Sequence, residues 1–355
     1  ANVGDRVQPD QVLARLDPQN ELNGLRSAQA AVSAAEGRVV ETSNAFDRQK
    51  TLLPQGFTLE LLSTSPDQRI EQWESADCYL GFRGGIQERD YDHMTRLKLI
   101  QFLSAGYDGM NLEKLRKMGI PLCNNGGANS YAVAEHAIML MLAVSRQLPD
   151  LDRLLREGKW KSSKFGQEEE HEVAGKTIGI VGLGMIGKVL ARRLAGFEVK
   201  LIYTDPVRPT PEEATRLNVQ YREPDDLFRE ADIVTLHAPF DKTTHHMVCE
   251  RTINLMKRDA ILINCARGEL VNSVDMAEAL NTGRIAGYGT DVVDQEPPPK
   301  DHPLLSAKNC VVTPHVGSRT YESVQRQAGM AATNLINALG GKKPLAQANP
   351  EVVIG

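Results

Sequence analysis

The run KTIGIVGLGMIGKVLARRLAGFEVKLIYTD, residues 176–205, restricts the possible folds more than any other part of the chain. An apolar stretch, 178–181, ends in Gly182, Gly184 and Gly187. A helix-period segment follows over 189–195, and a second apolar stretch, 199–203, leads to Asp205. The order predicts strand, tight turn, helix and parallel strand, and each polar or glycine position has a reason within it. Gly182 permits the turn, Gly184 lets backbone amides approach a pyrophosphate, and Gly187 lets the helix pack closely on the sheet. Met185 and Ile186 sit between them at the helix start, where unpaired N–H groups and the helix dipole face negative charge. Asp205 follows at the usual distance of about 20 residues, where a carboxylate accepts ribose hydroxyls. A ligand-free turn would leave unexplained three glycines at sites where a helix former is worth ~1 kcal/mol more. The Asp205 charge repels a 2′-phosphate and favours NAD; Arg208 leaves NADP open.

The rest of the chain continues the alternation. Before the fingerprint, strands are expected over 78–82, 97–102 and 120–123, a helix over 111–118 stopped by Gly119, and a long apolar helix over 131–146. After it, strands are expected over 232–236, 260–264, 286–290 and 310–313, with helices between them. Such alternation implies parallel sheets. The fold class is therefore α/β and two-lobed: a Rossmann-type doubly wound sheet with a smaller flavodoxin-like α/β lobe that binds substrate, and an N-terminal helical extension. The expected division is 58–148 with 325–355 for the substrate lobe and 149–324 for the nucleotide lobe. A final helix over 319–339 should cross back to the first lobe, because a catalytic cleft needs both.

Residues 1–57 differ in character. GDRVQPDQVLARLDP alternates like a strand, and beyond it Leu25, Val32, Val39, Phe46 and Leu53 recur every seven residues, a coiled-coil seam closed by Pro54 and Gly56. The segment resembles the start of the periplasmic adaptor (membrane-fusion) proteins, in which a similar half-motif of a lipoyl-like barrel leads into a helical hairpin. The returning helix and second half-barrel have no counterpart, so the expectation is an appendage rather than a transport function.

Composition excludes several classes. A net charge of −5 with 25% charged residues offers no electrostatic reason for a nucleic acid or anionic membrane partner. No apolar run reaches the ~20 residues that span a bilayer. Cys78, Cys123, Cys249, Cys265 and Cys310 lack CxxC spacing, which predicts free thiols, a reducing cytoplasmic setting and no metal site.

Three short stretches at strand ends carry the chemistry: Cys265-Ala266-Arg267-Gly268, Asp291 to Pro297, and Pro314 to Ser318. Ligands of open α/β sheets bind beyond the carboxyl ends of strands, so all three can face one reacting centre. VGLGMIG, ADIVTLHAP, INCARGELV, DVVDQEPP and TPHVGS, in this order, resemble the D-isomer-specific 2-hydroxyacid dehydrogenases over about four fifths of the chain. The resemblance implies an NAD(P)-dependent oxidoreductase, usually a homodimer, acting on a small 2-keto or 2-hydroxy acid with Arg267, Glu296 and His315 as its catalytic set. It also implies cofactor contacts from His237, Ala238, Pro239, Cys265, Ala266, Asp291 and Gly317, although Asp291 reads equally as a buried cap of the next turn. An NAD-sensing corepressor of the same fold is the rival reading.

The residue types suit the chemistry independently of the family. Oxidising a 2-hydroxy acid removes a hydride from C2 and a proton from its hydroxyl. Histidine, with an ordinary pKa of ~6.5, takes that proton, and a neighbouring carboxylate raises its basicity and orients the ring. Arginine presents a planar fork to a carboxylate. Glycine turns present backbone N–H groups to anions, and Gly84 with Gly85 is the best candidate in the first lobe, with Ser104 and Gly106 lining the cleft. Two departures stand out: the strand and helix with which the family's first lobe opens are replaced by the adaptor-like segment and the polar stretch 63–74, so this lobe is expected to lack an edge strand; and a bulky Arg319 follows the catalytic histidine.

Overall fold

The computed structural model describes Leu52, residues 58–160 and residues 170–353. The heptad seam and adaptor-like motif lie outside the described residues, and the chain divides into a unit Ala1–Leu62 and a unit Ser63–Gly355. The second unit contains the glycine fingerprint and all three stretches expected to carry chemistry.

Its first part runs α1 (Pro66–Ser75), β1 (Cys78–Gly81), β2 (Leu99–Phe102), α2 (Leu112–Met118), β3 (Leu122–Cys123), α3 (Ser130–Ser145) and α4 (Leu148–Arg156). The strands form a parallel sheet in the order β1-β2-β3. The expected start and stop signals operate on α2: the Asn111 side chain accepts the Lys114 amide at its head, and Gly119 closes it in the left-handed region at φ 70°. The polar stretch 63–74 folds mostly into α1, which buries Trp73 and Arg69. Trp73 lies 5.2 Å from the Tyr79 ring, and Tyr79 meets Phe102 edge-on. All four β1 residues are half-buried and β1 pairs only with β2, so among the described residues the sheet does end where a missing edge strand was expected.

The second part comprises β4 (Thr177–Val181), α5 (Met185–Leu194), β5 (Lys200–Thr204), α6 (Pro211–Leu217), β6 (Val219–Tyr221), α7 (Pro224–Glu230), β7 (Ile233–Leu236), α8 (Glu250–Ile253), β8 (Ile261–Asn264), α9 (Ser273–Asn281), β9 (Gly287–Thr290) and β10 (Cys310–Val312). They build a seven-stranded parallel sheet in the order β10-β9-β8-β7-β4-β5-β6. The chain winds outward from β4 in one direction and then from β7 in the other. The crevice between the ends of β4 and β7 is therefore the switch point at which such sheets bind ligands. Successive strand residues face opposite layers, as the two-residue period requires. Ile178, Ile180, Leu201, Ile261 and Ile263 enter one core, while Val181, Ile202, Val234 and Leu262 enter the other.

The long apolar helix α3, expected to close the first block, packs on the larger sheet: Val133, Ala137, Leu140, Met141 and Val144 share a core with Ile178, Ile263 and α5. It thus connects the two sheets rather than belonging to the smaller one. The closing helix α10 (Tyr321–Leu339), with its head capped by Thr320, does cross back. Buried Asn334 donates to buried Gln101 of β2 at 2.9 Å. The tail then brings Asn349 to the Leu122 amide at 2.7 Å.

Candidate active site

The nucleotide end of the site forms where β4 stops. Gly182 has φ 95°, and a Cβ there would lie 2.7 Å from the carbonyl carbon of His237 at the tip of β7. A Cβ on Gly187, expected to let the helix pack closely on the sheet, would lie 2.3 Å from the Gly182 oxygen and 3.3 Å from Cγ2 of Ile180 in β4, so α5 packs closely on both the turn and the strand. Gly184 is the N-cap of α5, exposed, with nothing within 4 Å of an added Cβ. Asp205 directs one carboxylate oxygen to the Leu183 amide and the other to the Val207 amide, both at 2.7 Å. A carboxylate has about four lone-pair positions, so acceptor capacity remains for two hydroxyls. Next to this cradle the buried Nδ1 of His237 has no partner, while its Nε2 meets Thr235 at 2.9 Å. Burial pushes the His237 pKa down to about 4, so the ring is neutral at physiological pH. An open helix start, backbone-only walls and an orphaned polar atom fit a dinucleotide.

The other residues expected around the cofactor divide. Met185 is exposed and lies against Gly127 of the turn before α3, while Ile186 packs into the core beside α3. Cys265 and Ala266 are buried below the loop that follows β8, Ala238 is half-buried and Pro239 is exposed. Arg208 stacks on the Tyr221 ring at 3.5 Å, with Glu223 at 4.0 Å.

The catalytic candidates meet across two loops and the smaller sheet. His315 Nδ1 and Glu296 Oε2 are 2.7 Å apart, with side chains 47% and 39% exposed. The hydrogen bond to Glu296 raises the His315 pKa, and partial burial and the nearby Arg267 act against it. His315 occupies the left-handed region at φ 54°, a conformation that costs a non-glycine residue of order 1–3 kcal/mol. Asp291 supplies the compensation. Its carbonyl accepts the His315 amide at 2.8 Å, and its carboxylate accepts the Val316 and Gly317 amides at 2.9 and 2.7 Å and the Thr313 hydroxyl at 2.6 Å. Asp291 and Gly317, both expected to touch the cofactor, are thus bound to each other here, and Asp291 acts as the cap of the turn that carries His315. His136 of α3 reaches the same cluster, 2.8 Å from Thr313 Oγ1.

Arg267 and Glu296 are locked together through the backbone: a Cβ on Gly268 would fall 1.9 Å from the Val293 carbonyl carbon, so the glutamate loop lies directly on the arginine turn. Arg267 donates from Nη1 to the Ala266 carbonyl at 2.6 Å, and its Nε and Nη2 reach one Asp108 oxygen at 2.8 Å. With three of five guanidinium N–H groups so used, two remain for an incoming carboxylate. Asp108 had no signal in the sequence, since it lies 159 positions from its partner. The place of a Gly106 Cβ is filled by Arg267 Nη2, which brings the 104–106 turn, expected to line the cleft, against this arginine; the Ser104 hydroxyl donates to the Gly106 carbonyl at 3.3 Å.

The Gly84–Gly85 pair needs a correction. The Gly85 amide is bound to the Phe82 carbonyl at 3.0 Å, and Gly85 is a glycine because a Cβ would collide with the Tyr79 hydroxyl at 2.0 Å. Only Gly84, exposed and open, keeps its amide for a ligand. Arg319 lies with its guanidinium 5.9 Å above the Phe82 ring, at the entrance to this turn.

A profile of the D-isomer specific 2-hydroxyacid dehydrogenase NAD binding domain matches residues 138–317. The chain belongs to that family. A glyoxylate reductase of Thermofilum pendens is 40% identical over 263 residues, 74% of this chain and 78% of the relative. The TT0316 protein of Thermus thermophilus superposes with a TM-score of 0.75 at 32% identity, covering 86% of this chain and 96% of that one. The D-lactate dehydrogenase of Aquifex aeolicus, solved with NAD and lactic acid, gives 0.74 at 25% identity over 82% and 93%. The protein is an NAD-dependent 2-hydroxyacid oxidoreductase.

Proposed function

We propose that this dehydrogenase reduces small 2-keto acids of the glyoxylate and hydroxypyruvate type to D-2-hydroxy acids, with His315 as the proton donor. The observation that carries the reading is the 2.7 Å His315–Glu296 pair set on a strained, Asp291-capped turn beside Arg267. Gly182, Gly184, Gly187 and Asp205 would hold the pyrophosphate and ribose of NADH, whose nicotinamide would supply the hydride to C2. Arg267 offers its two remaining N–H groups to the substrate carboxylate and the Gly84 amide adds a third donor. His315 protonates the developing alkoxide, and Glu296 stabilises the imidazolium before transfer. Oxidation runs the same groups in reverse. NADH and NADPH oxidation with glyoxylate, hydroxypyruvate, pyruvate and phenylpyruvate tests this, in the full chain and in one starting at Thr58. The shorter chain should turn over equally, since residues 1–57 are assigned no part in the chemistry. Tight NADH binding without turnover on any of these acids would replace the enzyme reading with that of a sensor.

The pH profile follows from the pair. Because Glu296 raises the His315 pKa, the protonated donor persists above the ordinary value of ~6.5 and is lost as pH rises through the raised one. Reduction should therefore hold at low pH and fall about tenfold per unit above the break, with oxidation showing the opposite limb. Glu296→Gln should move the break in kcat/KM toward acid; an unmoved break would remove Glu296 from this function.

The proposed substrate lobe comprises residues 58–148 and 325–355 and the nucleotide lobe residues 149–324, with α3 reaching across. A homodimer is proposed on the exposed apolar surface of α3 and α4: Tyr131, Met139, Leu142, Leu148 and Leu155 are all exposed, and α4 buries no residue. Leu155→Arg should shift the sedimentation of the protein from dimer to monomer, and a wild-type monomer would end the proposal. A cytoplasmic setting is supported by free thiols at all five cysteines. No helix among the described residues is long and apolar enough to cross a membrane.

A further inference from the structure

Arg69 projects from α1 into the interior and is 9% exposed. Its guanidinium pairs with Asp90, itself 3% exposed, through Nε at 2.9 Å and through Nη2. Nη2 also donates to the Gly85 carbonyl at 2.5 Å. Asp90 is fixed in turn by the Gln87 amide at 2.7 Å. Taking both charges of such a pair out of water carries a large desolvation penalty, so burying it is weak evidence of a purely stabilising function. Its position relative to the Gly84 turn supplies another.

The Gly85 carbonyl that Arg69 holds belongs to the same peptide unit as the Ile86 N–H. That N–H donates to the Arg83 carbonyl at 3.0 Å. The Arg83 carbonyl, in turn, shares its peptide unit with the Gly84 N–H, which has no acceptor among the described residues. Arg69 thus stands at the head of a chain of two peptide units that ends on the one amide of this turn open to a ligand. Each link is polarised by the one before it, and hydrogen bonds in such chains strengthen one another by about 10–30%. A second side chain, Tyr79, steadies the turn by donating to the Phe82 carbonyl at 2.9 Å, but it is neutral and bonds before the chain begins.

We infer that Arg69 is a positioning residue for the substrate carboxylate: by holding the Gly85 carbonyl it orients the Gly84 amide and makes it a stronger donor. The inference rests on the 2-keto acid reading of the site. It makes α1, which stands where the sequence shows only a polar stretch, part of substrate recognition.

The test uses the full chain with oxalate as a substrate-like dianion, titrated calorimetrically in the presence of NADH, beside glyoxylate kinetics. Arg69→Lys keeps a cation for Asp90 and gives up the two-armed reach to Gly85. It should raise the oxalate Kd and glyoxylate KM roughly tenfold, the scale of one charge-assisted hydrogen bond, with kcat and the NADH Kd within about twofold of wild type. Arg69→Gln, which retains a neutral donor for the carbonyl, should fall between and serves if the lysine variant does not fold. Unchanged oxalate affinity and KM in a folded variant would overturn the inference. So would a parallel loss of NADH, oxalate and thermal stability, which is the mark of a merely structural brace. Absence of turnover by the wild type on every keto acid would instead defeat the functional reading, and the oxalate titration reports on Arg69 either way.

Discussion

Replacing His315 by asparagine is expected to lower kcat for keto acid reduction by about 10²–10⁴-fold, the range for loss of a positioned general acid. NADH affinity should stay within a few-fold, because the cradle of Gly182, Gly184 and Asp205 contains no part of residue 315. Asparagine is preferred to alanine because it tolerates the left-handed region that His315 occupies at φ 54°, so the Asp291-capped turn should survive. KM for the keto acid should change little if Arg267 and Gly84 bind the carboxylate, and the acid-to-base limb of the pH profile should vanish with the imidazole. Stopped-flow measurement of NADH oxidation under single turnover isolates the chemical step. A variant with wild-type kcat would sink the assignment of His315, and one that lost NADH binding as well would show that the turn, not the imidazole, had been tested.

The parts of this site that were legible in the sequence are those whose physics is local. The glycines at 182, 184 and 187 announce a turn, an open helix start and a close packing because each requirement acts on the residue itself or its near neighbours. The Asn111 cap and Gly119 stop work in the same way. The parts played by Asp108 and Arg69 depend on contacts made only after folding, between residues far apart in the chain. Periodicity says nothing of such contacts. Gly85 is instructive because its glycine was visible but its reason, the Tyr79 hydroxyl occupying the space of a side chain, was not. The partner of α3 was hidden for a different reason: the helix is apolar on nearly every face, so no stripe indicated which sheet it would cover. Its crossing to the larger sheet explains how His136 comes to stand at Thr313, beside the His315 turn.

Gly182→Ala should cost both folding stability and nucleotide binding, and Gly184→Ala only the second. At 182 the backbone holds φ 95°, where an L side chain is strained, and the new methyl would stand 2.7–2.8 Å from the His237 carbonyl and the Ala238 nitrogen. Those atoms are backbone at the tip of β7, so no side chain can swing aside, and relief requires β4 and β7 to part at the switch point. Strain and overpacking together place the loss at about 2–4 kcal/mol, and the NADH Kd should rise by about a hundredfold or more as the crevice opens. At 184 the backbone is extended, with nothing within 4 Å of the added Cβ. The protein should therefore melt as wild type while the methyl, standing at the N-cap of α5, keeps a pyrophosphate from the amides. Differential scanning fluorimetry with and without NADH separates the two cases. A Gly182→Ala protein that melts normally and binds NADH normally would mean that β4 and β7 can part without cost. The crevice would then not be the rigid element that aligns the nicotinamide with His315.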